Sequence, residues 1–468
     1  MNNNNTAKNT VKKMKLTFAS GATTVTGANF LLETIPEGTE TAIRMLIDCG
    51  LEQGAHEANA NNRKPFAYDV ATIDYLFITH AHIDHIGRIP RLVHEGFKGK
   101  IFSTVETHKL TPIMLEDAMR VSKMEYGDLE PLYNEDDIKK TMELWHDIPY
   151  DTCTDLKAGI QVCVKDAGHI LGSVMYEFTY NGKKIVFTGD LGNSPTPLLR
   201  DTAVITDATY LIMESVYGDR NHEPTEERRD KLENAIEDVY KKGGALLIPC
   251  FSLEKTQVIL HEISHLMEEG RIHSEPVYLD SPLAIKVTDI YKEHSRGFND
   301  VIKDEMKHDD DIFDFPRLTK VTTSEDSKKL LEVPNPKIII AGSGMSNGGR
   351  IVHHEQHYLP DPKSTILLVG YQTLGTLGRR IQNGDKVVKI MGVPVPVHAK
   401  VVTISGYSSH KDSDHLLEFV SNTRDSLKKA FLVMGEPKSS MFLAQKIRDN
   451  LAVDAYTPED NESVVLDF

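Results

Sequence analysis

The chain has 468 residues, more than one ordinary core accommodates, so two or three domains are expected. Its 40% hydrophobic and 26% charged content is that of a globular protein, and no apolar run reaches the roughly 18–20 residues that span a bilayer. Lys and Arg total 53 against 69 Asp and Glu, a formal charge of −16, which argues against broad nonspecific coating of nucleic acid but leaves room for a cleft made positive by metal.

The opening MNNNNTAKNTVKKMK is polar with no apolar core, so a disordered tail is expected rather than a signal peptide. The four cysteines, Cys49, Cys153, Cys163 and Cys250, form no C-x-x-C pair and read as buried thiols, in keeping with a reducing cytoplasm. From KLTFASGATTVTGANFLLET through AIRMLIDCG, apolar residues alternate with small or polar ones, as in half-buried strands. IDYLFITHAH predicts a strand that breaks into a loop, and HIGRIPRLVHEG a helix. An acid-rich helical stretch follows at about 111–147, and then short strands through GIQVCVKDAGHILGSVMYEFTYNGKKIVFTGDLGN. From about 205, strand and helix patterns alternate through ATYLIMESVYGD, GGALLIPC, PVYLDSP, NPKIIIAGSG and STILLVGYQ, as in βαβ units around a parallel sheet. KHDDDIFDF reads as a solvated loop. After about 396 a strand, a histidine-bearing loop and a helix complete the chain. The expected organisation is a β-rich first part over 1–208, an inserted α/β domain over 209–395, and a return segment over 396–468.

FITHAHIDHIGRIP sets His80, His82, Asp84 and His85 directly behind an apolar run. Imidazoles and carboxylates are costly to bury without partners, and this spacing suits divalent metal: His80 and His82 toward one ion, Asp84 and His85 toward a neighbouring position. AGHILGS adds His169 in a turn of small residues. FTGDLGN adds Asp190 at the end of an apolar strand, where two oxygens can bridge two ions. Asp48 in LIDCG ends another strand, where a carboxylate can orient a ligating imidazole.

In this order, strand-Asp, H-x-H-x-D-H, G-H and G-D resemble the metallo-β-lactamase fold over residues 15–205. The resemblance implies His80, His82 and His169 on one zinc, with Asp84, His85 and the bridging Asp190 on a second. It also implies water activated for in-line displacement, with manganese as another usable ion. Beyond Asp190 come MESVYGDR, IPCFSLEKTQ, LDSP, GSGMSNGGR, GYQTLGTLGR and ISGYSSH. This series resembles the β-CASP subfamily, nucleases that include the endonuclease subunit of the cleavage and polyadenylation specificity factor and bacterial RNase J. The implied fold is an αββα sandwich carrying an inserted α/β domain with a parallel sheet. The implied chemistry is zinc-dependent hydrolysis of single-stranded RNA, with internal cleavage expected and 5′-exonuclease activity as a further expectation.

In that reading Glu214 orients His410, and His410 protonates the leaving oxygen; Asp84 and Asp190 complete the catalytic set. Ser343 and Arg350 are candidate phosphate contacts, with Ser409 a further one. GSGMSNGGR is not a dinucleotide loop, because Asn347 breaks G-x-G-x-x-G. The sequence departs from the family where a second-metal histidine stands in V-H-G-E: here FLVMGEP puts Met434 in the slot. A thioether is a poor zinc ligand beside imidazole, so a weaker second site is expected. The alternatives are a DNA nuclease of the Artemis-like type, whose members also lack that histidine, and a weakly active RNA-binding subunit. RNA is the expected partner, with no membrane and with a homodimer as a further expectation.

Overall fold

Alternation along KMKLTFAS places Met14, Leu16 and Phe18 on one face, and that face is wholly buried. The computed structural model describes residues 13–35, 41–54, 57–126, 129–309 and 311–468; the first twelve residues of the expected tail lie outside the described residues. Lys13–Ser20 sits in a seven-stranded sheet, between Ser463–Asp467 and Asn29–Thr34, which continues through Arg44–Ile47, Tyr75–Phe77, Lys100–Ser103 and Trp145–Asp147. A second seven-stranded sheet runs Ala455–Tyr456, Lys429–Val433, Tyr210–Glu214, Lys183–Phe187, Val174–Tyr180, Gln161–Asp166 and Cys153–Asp155.

The two sheets face each other across an aromatic core. Phe77 meets Phe178 edge-on with ring centroids 5.0 Å apart, and Phe178 meets Phe187 at 5.9 Å. Their outer faces are also apolar, so strands such as YLIME are buried on both sides rather than alternating. Leu46, Leu76 and Ile101 of the first sheet pack with Leu92 and Leu115 of the outer helices Ile89–His94 and Val105–Tyr126. Leu211, Met213 and Leu432 of the second pack with Leu416 and Leu443 of the helices Ser413–Ser421 and Pro437–Leu451. This is the αββα sandwich.

The inserted domain is built on a six-stranded, wholly parallel sheet in the order Leu318–Lys320, Val277–Asp280, Lys337–Ala341, Ala245–Pro249, Thr365–Leu368, Lys400–Thr403. Helices cover both faces, as a parallel sheet requires. The crossings fall elsewhere than at 208 and 395. Tyr210–Glu214 still belongs to the sandwich, pairing in parallel with Lys183–Phe187 and Lys429–Val433. Lys400–Thr403 belongs to the inserted sheet, through Thr365–Leu368.

Other expectations are corrected. The stretch 111–147 is two helices, Val105–Tyr126 and Glu135–Glu143, followed by the strand Trp145–Asp147. In KHDDDIFDF, Ile312, Phe313 and Phe315 are buried, so its apolar residues anchor it to the core instead of leaving a solvated loop. Cys49 and Cys250 are buried thiols, but Cys153 and Cys163 face each other across an antiparallel pair and are joined by a disulfide. Among the described residues no helix is long and apolar enough to cross a membrane.

Phe178→Ala removes a fully buried ring from between the sheets. It is expected to destabilise the sandwich by ~3–5 kcal/mol, read as a lowered urea midpoint with an unchanged slope.

Candidate metal centre

Arg44–Ile47 and Tyr75–Phe77 pair in parallel, so they end at the same edge of the first sheet. Asp48 follows one and the Thr79–His85 loop follows the other. Asp48 takes φ +58, and its Oδ1 accepts the Thr79 N–H at 2.8 Å. Its Oδ2 accepts the Thr79 hydroxyl at 2.8 Å and lies 2.7 Å from His85 Nδ1. With Nδ1 held against Asp48, His85 turns Nε2 into the site. The glycine of LIDCG has a steric reason: a Cβ at Gly50 would stand 1.5 Å from the Asp84 carbonyl oxygen. Asp48 thus lies against the His85 ring, and Thr79, unremarkable in the sequence, shares the same carboxylate.

His80 Nε2 and His169 Nε2 lie 3.1 and 3.2 Å from His82 Nδ1. His169 is set by its own Nδ1, 3.0 Å from the Ser409 carbonyl oxygen. Asp190 Oδ2 faces all of them, 3.5 Å from His80 Nε2, 3.6 Å from His169 Nε2 and 3.4 Å from His85 Nε2. Asp84 Oδ2 is 3.8 Å from His85 Nε2. The ligating atoms therefore form two overlapping groups, His80, His82, His169 and Asp190, and Asp84, His85 and Asp190, with Asp190 in both.

Burial pulls His80 and His169 well below the ordinary histidine range and His82 down to about 3, which keeps these imidazoles neutral, the form that binds metal. Burial also pushes Asp84 up to about 6. For His85 burial acts the same way, but the carboxylates of Asp190, Asp48 and Asp84 outweigh it and raise the imidazole. His85 Nε2 and Asp190 Oδ1 are buried without a hydrogen-bond partner, an arrangement that native cores avoid. Converging imidazoles and carboxylates with orphaned donor atoms fit divalent zinc or manganese.

Glu214 ends the strand Tyr210–Glu214, fully buried, and its Oε1 accepts the Leu191 N–H at 2.6 Å. Its two oxygens lie 3.0 and 3.2 Å from His410 Nδ1, which is itself 3.9 Å from Asp190 Oδ2. Burial opposes a charged His410, and the Glu214 carboxylate more than reverses this, so the imidazole is raised; Glu214 in turn is raised by burial against the pull of His410. Backbone bonds stitch the loops together: Asn193 N–H donates to Ser409 O at 3.0 Å and Lys411 N–H to Leu191 O at 2.9 Å. A Cβ at Gly192 would sit 1.9 Å from the Gly168 oxygen, so the glycines of GDLGN and AGH permit the crossing of these two loops.

The inserted domain reaches this centre through groups that sequence reading did not single out. Lys255 Nζ donates to the Tyr407 carbonyl and lies 3.2 Å from Ser409 Oγ. Tyr291 accepts the Leu171 N–H at 3.2 Å and donates to Glu254 at 2.6 Å. Glu254 and Lys255 were signalled in FSLEKTQ, as adjacent charges just after the apolar strand Ala245–Pro249, whereas nothing local marked Tyr291. Ser409 acts through its carbonyl on His169 rather than only as a candidate phosphate contact. Ser343 N–H donates within its own loop, to Gly348 O at 3.3 Å. Arg350 is committed to protein: Nη1 to Asp280 at 2.6 Å and Val321 O at 3.0 Å, and Nη2 to Thr322 O at 2.9 Å. Met434 is 2% exposed and belongs to the core between the sheets; its Sδ packs so close to Gly21 that a Cβ there would come within 2.9 Å. Glu436 accepts a hydrogen bond from Tyr371 at 2.6 Å.

Residues 39–217 match the metallo-beta-lactamase superfamily domain, 256–381 the Beta-Casp domain, and 394–458 the Zn-dependent metallo-hydrolase RNA specificity domain. The chain is 35% identical over 402 residues to ribonuclease TTHA0252 of Thermus thermophilus, covering 86% of this chain and 90% of that one. The chain belongs to the β-CASP family of metallo-β-lactamase-fold hydrolases. It is also 29% identical over 468 residues to the transcription termination factor FttA of Methanocaldococcus jannaschii, covering 96% of this chain and 71% of that one. A crystal structure of a protein of unknown function from Enterococcus faecalis shares the fold, with TM-score 0.55 at 12% identity, over 97% of this chain and 100% of that one. In this β-CASP hydrolase the family's parts and the converging donors coincide: the imidazole cluster lies in the lactamase-type segment and His410 in the RNA specificity segment.

Asp48→Asn removes the charged acceptor for His85 Nδ1 while keeping side-chain size. Affinity for a divalent ion at Asp84, His85 and Asp190 is expected to fall ~10–100-fold, measured by zinc titration against a chelator, with affinity at His80, His82 and His169 expected to be retained.

Proposed function

We propose that this β-CASP hydrolase is a ribonuclease that cuts single-stranded RNA internally, using two zinc ions or manganese in their place. The observation that carries this reading is the join between two half-sites: His410 Nδ1, held by Glu214, stands 3.9 Å from the Asp190 carboxylate that faces the imidazole cluster. Hydrolysis of a phosphodiester needs an activated water and a proton donor for the leaving oxygen, and these two half-sites supply both positions. Similarity to ribonuclease TTHA0252 and to the RNA specificity domain supports RNA as the substrate.

His80, His82 and His169 would hold one ion, Asp84 and His85 the other, and Asp190 both. Bound there, divalent metal supplies Lewis acidity toward the phosphate and lowers the pKa of water. Glu214 fixes the ring of His410 through Nδ1, which leaves Nε2 to hand a proton to the departing oxygen. Asp48 and the Ser409 carbonyl keep His85 and His169 in the ligating tautomer. The tightly linked loops 190–193 and 408–411 hold donor and ligands in register. A second reading, cleavage of DNA, is favoured by Met434, because the position where RNA-cleaving relatives carry a ligating histidine is given to core packing here.

The test is a labelled RNA and its matched DNA, incubated with the metal-loaded protein. RNA is expected to be cut and DNA spared, and RNA blocked at its 5′ end is expected to be cut as well. Degradation of only free 5′-monophosphate ends would exclude the internal mode, and preferential DNA cleavage would favour the second reading. Glu214→Gln and His410→Ala are each expected to lower kcat ~10²–10⁴-fold with bound zinc unchanged.

A further inference from the structure

The inserted domain holds a second cluster of ligating groups, separate from the metal centre. His261 and His265 stand four residues apart on the helix Lys255–Glu268, so both face one side of it. Glu305, the last residue of the helix Asp300–Glu305, lies opposite. His261 Nε2 is 3.1 Å from both Glu305 oxygens, and His265 Nε2 is 3.0 Å from Glu305 Oε1. The imidazole rings are 4.3 Å apart between centroids, and three donor atoms, one from each residue, lie within 4.8 Å of one another.

A tetrahedral ion with bonds of ~2.0–2.1 Å sets its donors about 3.3 Å apart. The spacing here is close to that, and close to the 3.1 and 3.2 Å between imidazole nitrogens in the catalytic cluster. The side chains of His261, His265 and Glu305 are 10%, 33% and 23% exposed, which leaves the cluster open to an arriving ion and to water as a fourth ligand. Two imidazoles and one carboxylate suit a zinc-class ion and not calcium or magnesium, which take oxygen.

The sequence HEISH also has the H-E-x-x-H spacing of metallopeptidases. Its Glu262, however, is paired with Arg228 at 3.4 Å and Arg229 at 3.1 Å. A carboxylate so occupied is no general base, and the cluster is suited to holding an ion rather than to hydrolysis. We propose that His261, His265 and Glu305 form a structural site for a zinc-class divalent ion that ties the helix Lys255–Glu268 to the segment ending at Glu305. The same helix begins at Lys255, which holds the Tyr407 carbonyl and the Ser409 hydroxyl in the loop behind His169 and His410, so the ion would brace the strut on which that loop rests.

The test uses the full chain, stripped with chelator, dialysed against zinc alone and counted for bound metal by mass spectrometry. His265→Gln, at a side chain one-third exposed, and Glu305→Gln, which keeps the side chain's shape, are compared with wild type. Each variant is expected to hold one zinc fewer per chain than wild type, and the zinc-dependent rise in Tm is expected to shrink in both. Wild-type zinc content and an undiminished Tm rise in both variants would overturn the site and leave a His–Glu ion-pair cluster. The outcome does not depend on which nucleic acid the catalytic centre cuts.

Discussion

The structure turns on the carboxylate of Asp190. It is buried, it faces imidazoles from the loop after Tyr75–Phe77 and from the His169 turn, and His410 stands beside it. Such a charge is costly inside a protein unless cations or donors surround it. Here the surroundings are nitrogens whose burial favours the neutral state, so attraction from imidazolium cannot serve for the whole cluster. Divalent metal held between the two donor groups would satisfy every member at once. The second sheet supplies this carboxylate from the loop after Lys183–Phe187, and the first supplies the H-x-H-x-D-H loop after Tyr75–Phe77. The aromatic core between the sheets is what holds those two loops in register.

A second constraint follows from the inserted domain. It leaves and re-enters the sandwich close to the centre, so the loop that carries His410 is anchored from both bodies. Asn193 and Lys411 pair with it or through it on the sandwich side, while Lys255 holds Tyr407 and Ser409 on the other. The buried Glu254–Tyr291 pair extends this coupling to the His169 turn through Leu171.

Much of this was legible in the sequence, and for physical reasons. His80, His82, Asp84 and His85 are neighbours in the chain, and their cost when buried makes the cluster conspicuous. Asp48, His169 and Asp190 each follow a strand and sit among glycines, and Gly50 and Gly192 prove to be places where a side chain would collide with backbone. The remainder depends on partners far along the chain. Arg350 pairs with Asp280 at the end of the strand Val277–Asp280, a partner that nothing around GSGMSNGGR announces. Cys153 and Cys163 read as thiols because nothing local says they oppose each other in a ladder. The strands Tyr210–Glu214 and Lys400–Thr403 blur the domain limits because only the strand each one pairs with in parallel, far along the chain, decides which sheet it joins. In HEISH the spacing was readable, but Glu305 and the arginines around Glu262 were not.

The most direct measurement is anomalous diffraction at the zinc edge from crystals of the metal-loaded protein. The account predicts two peaks sharing Asp190, one among His80, His82 and His169 and the other beside Asp84 and His85. Peaks that leave Asp190 without an ion, or one ion bound by all the imidazoles together, would contradict it.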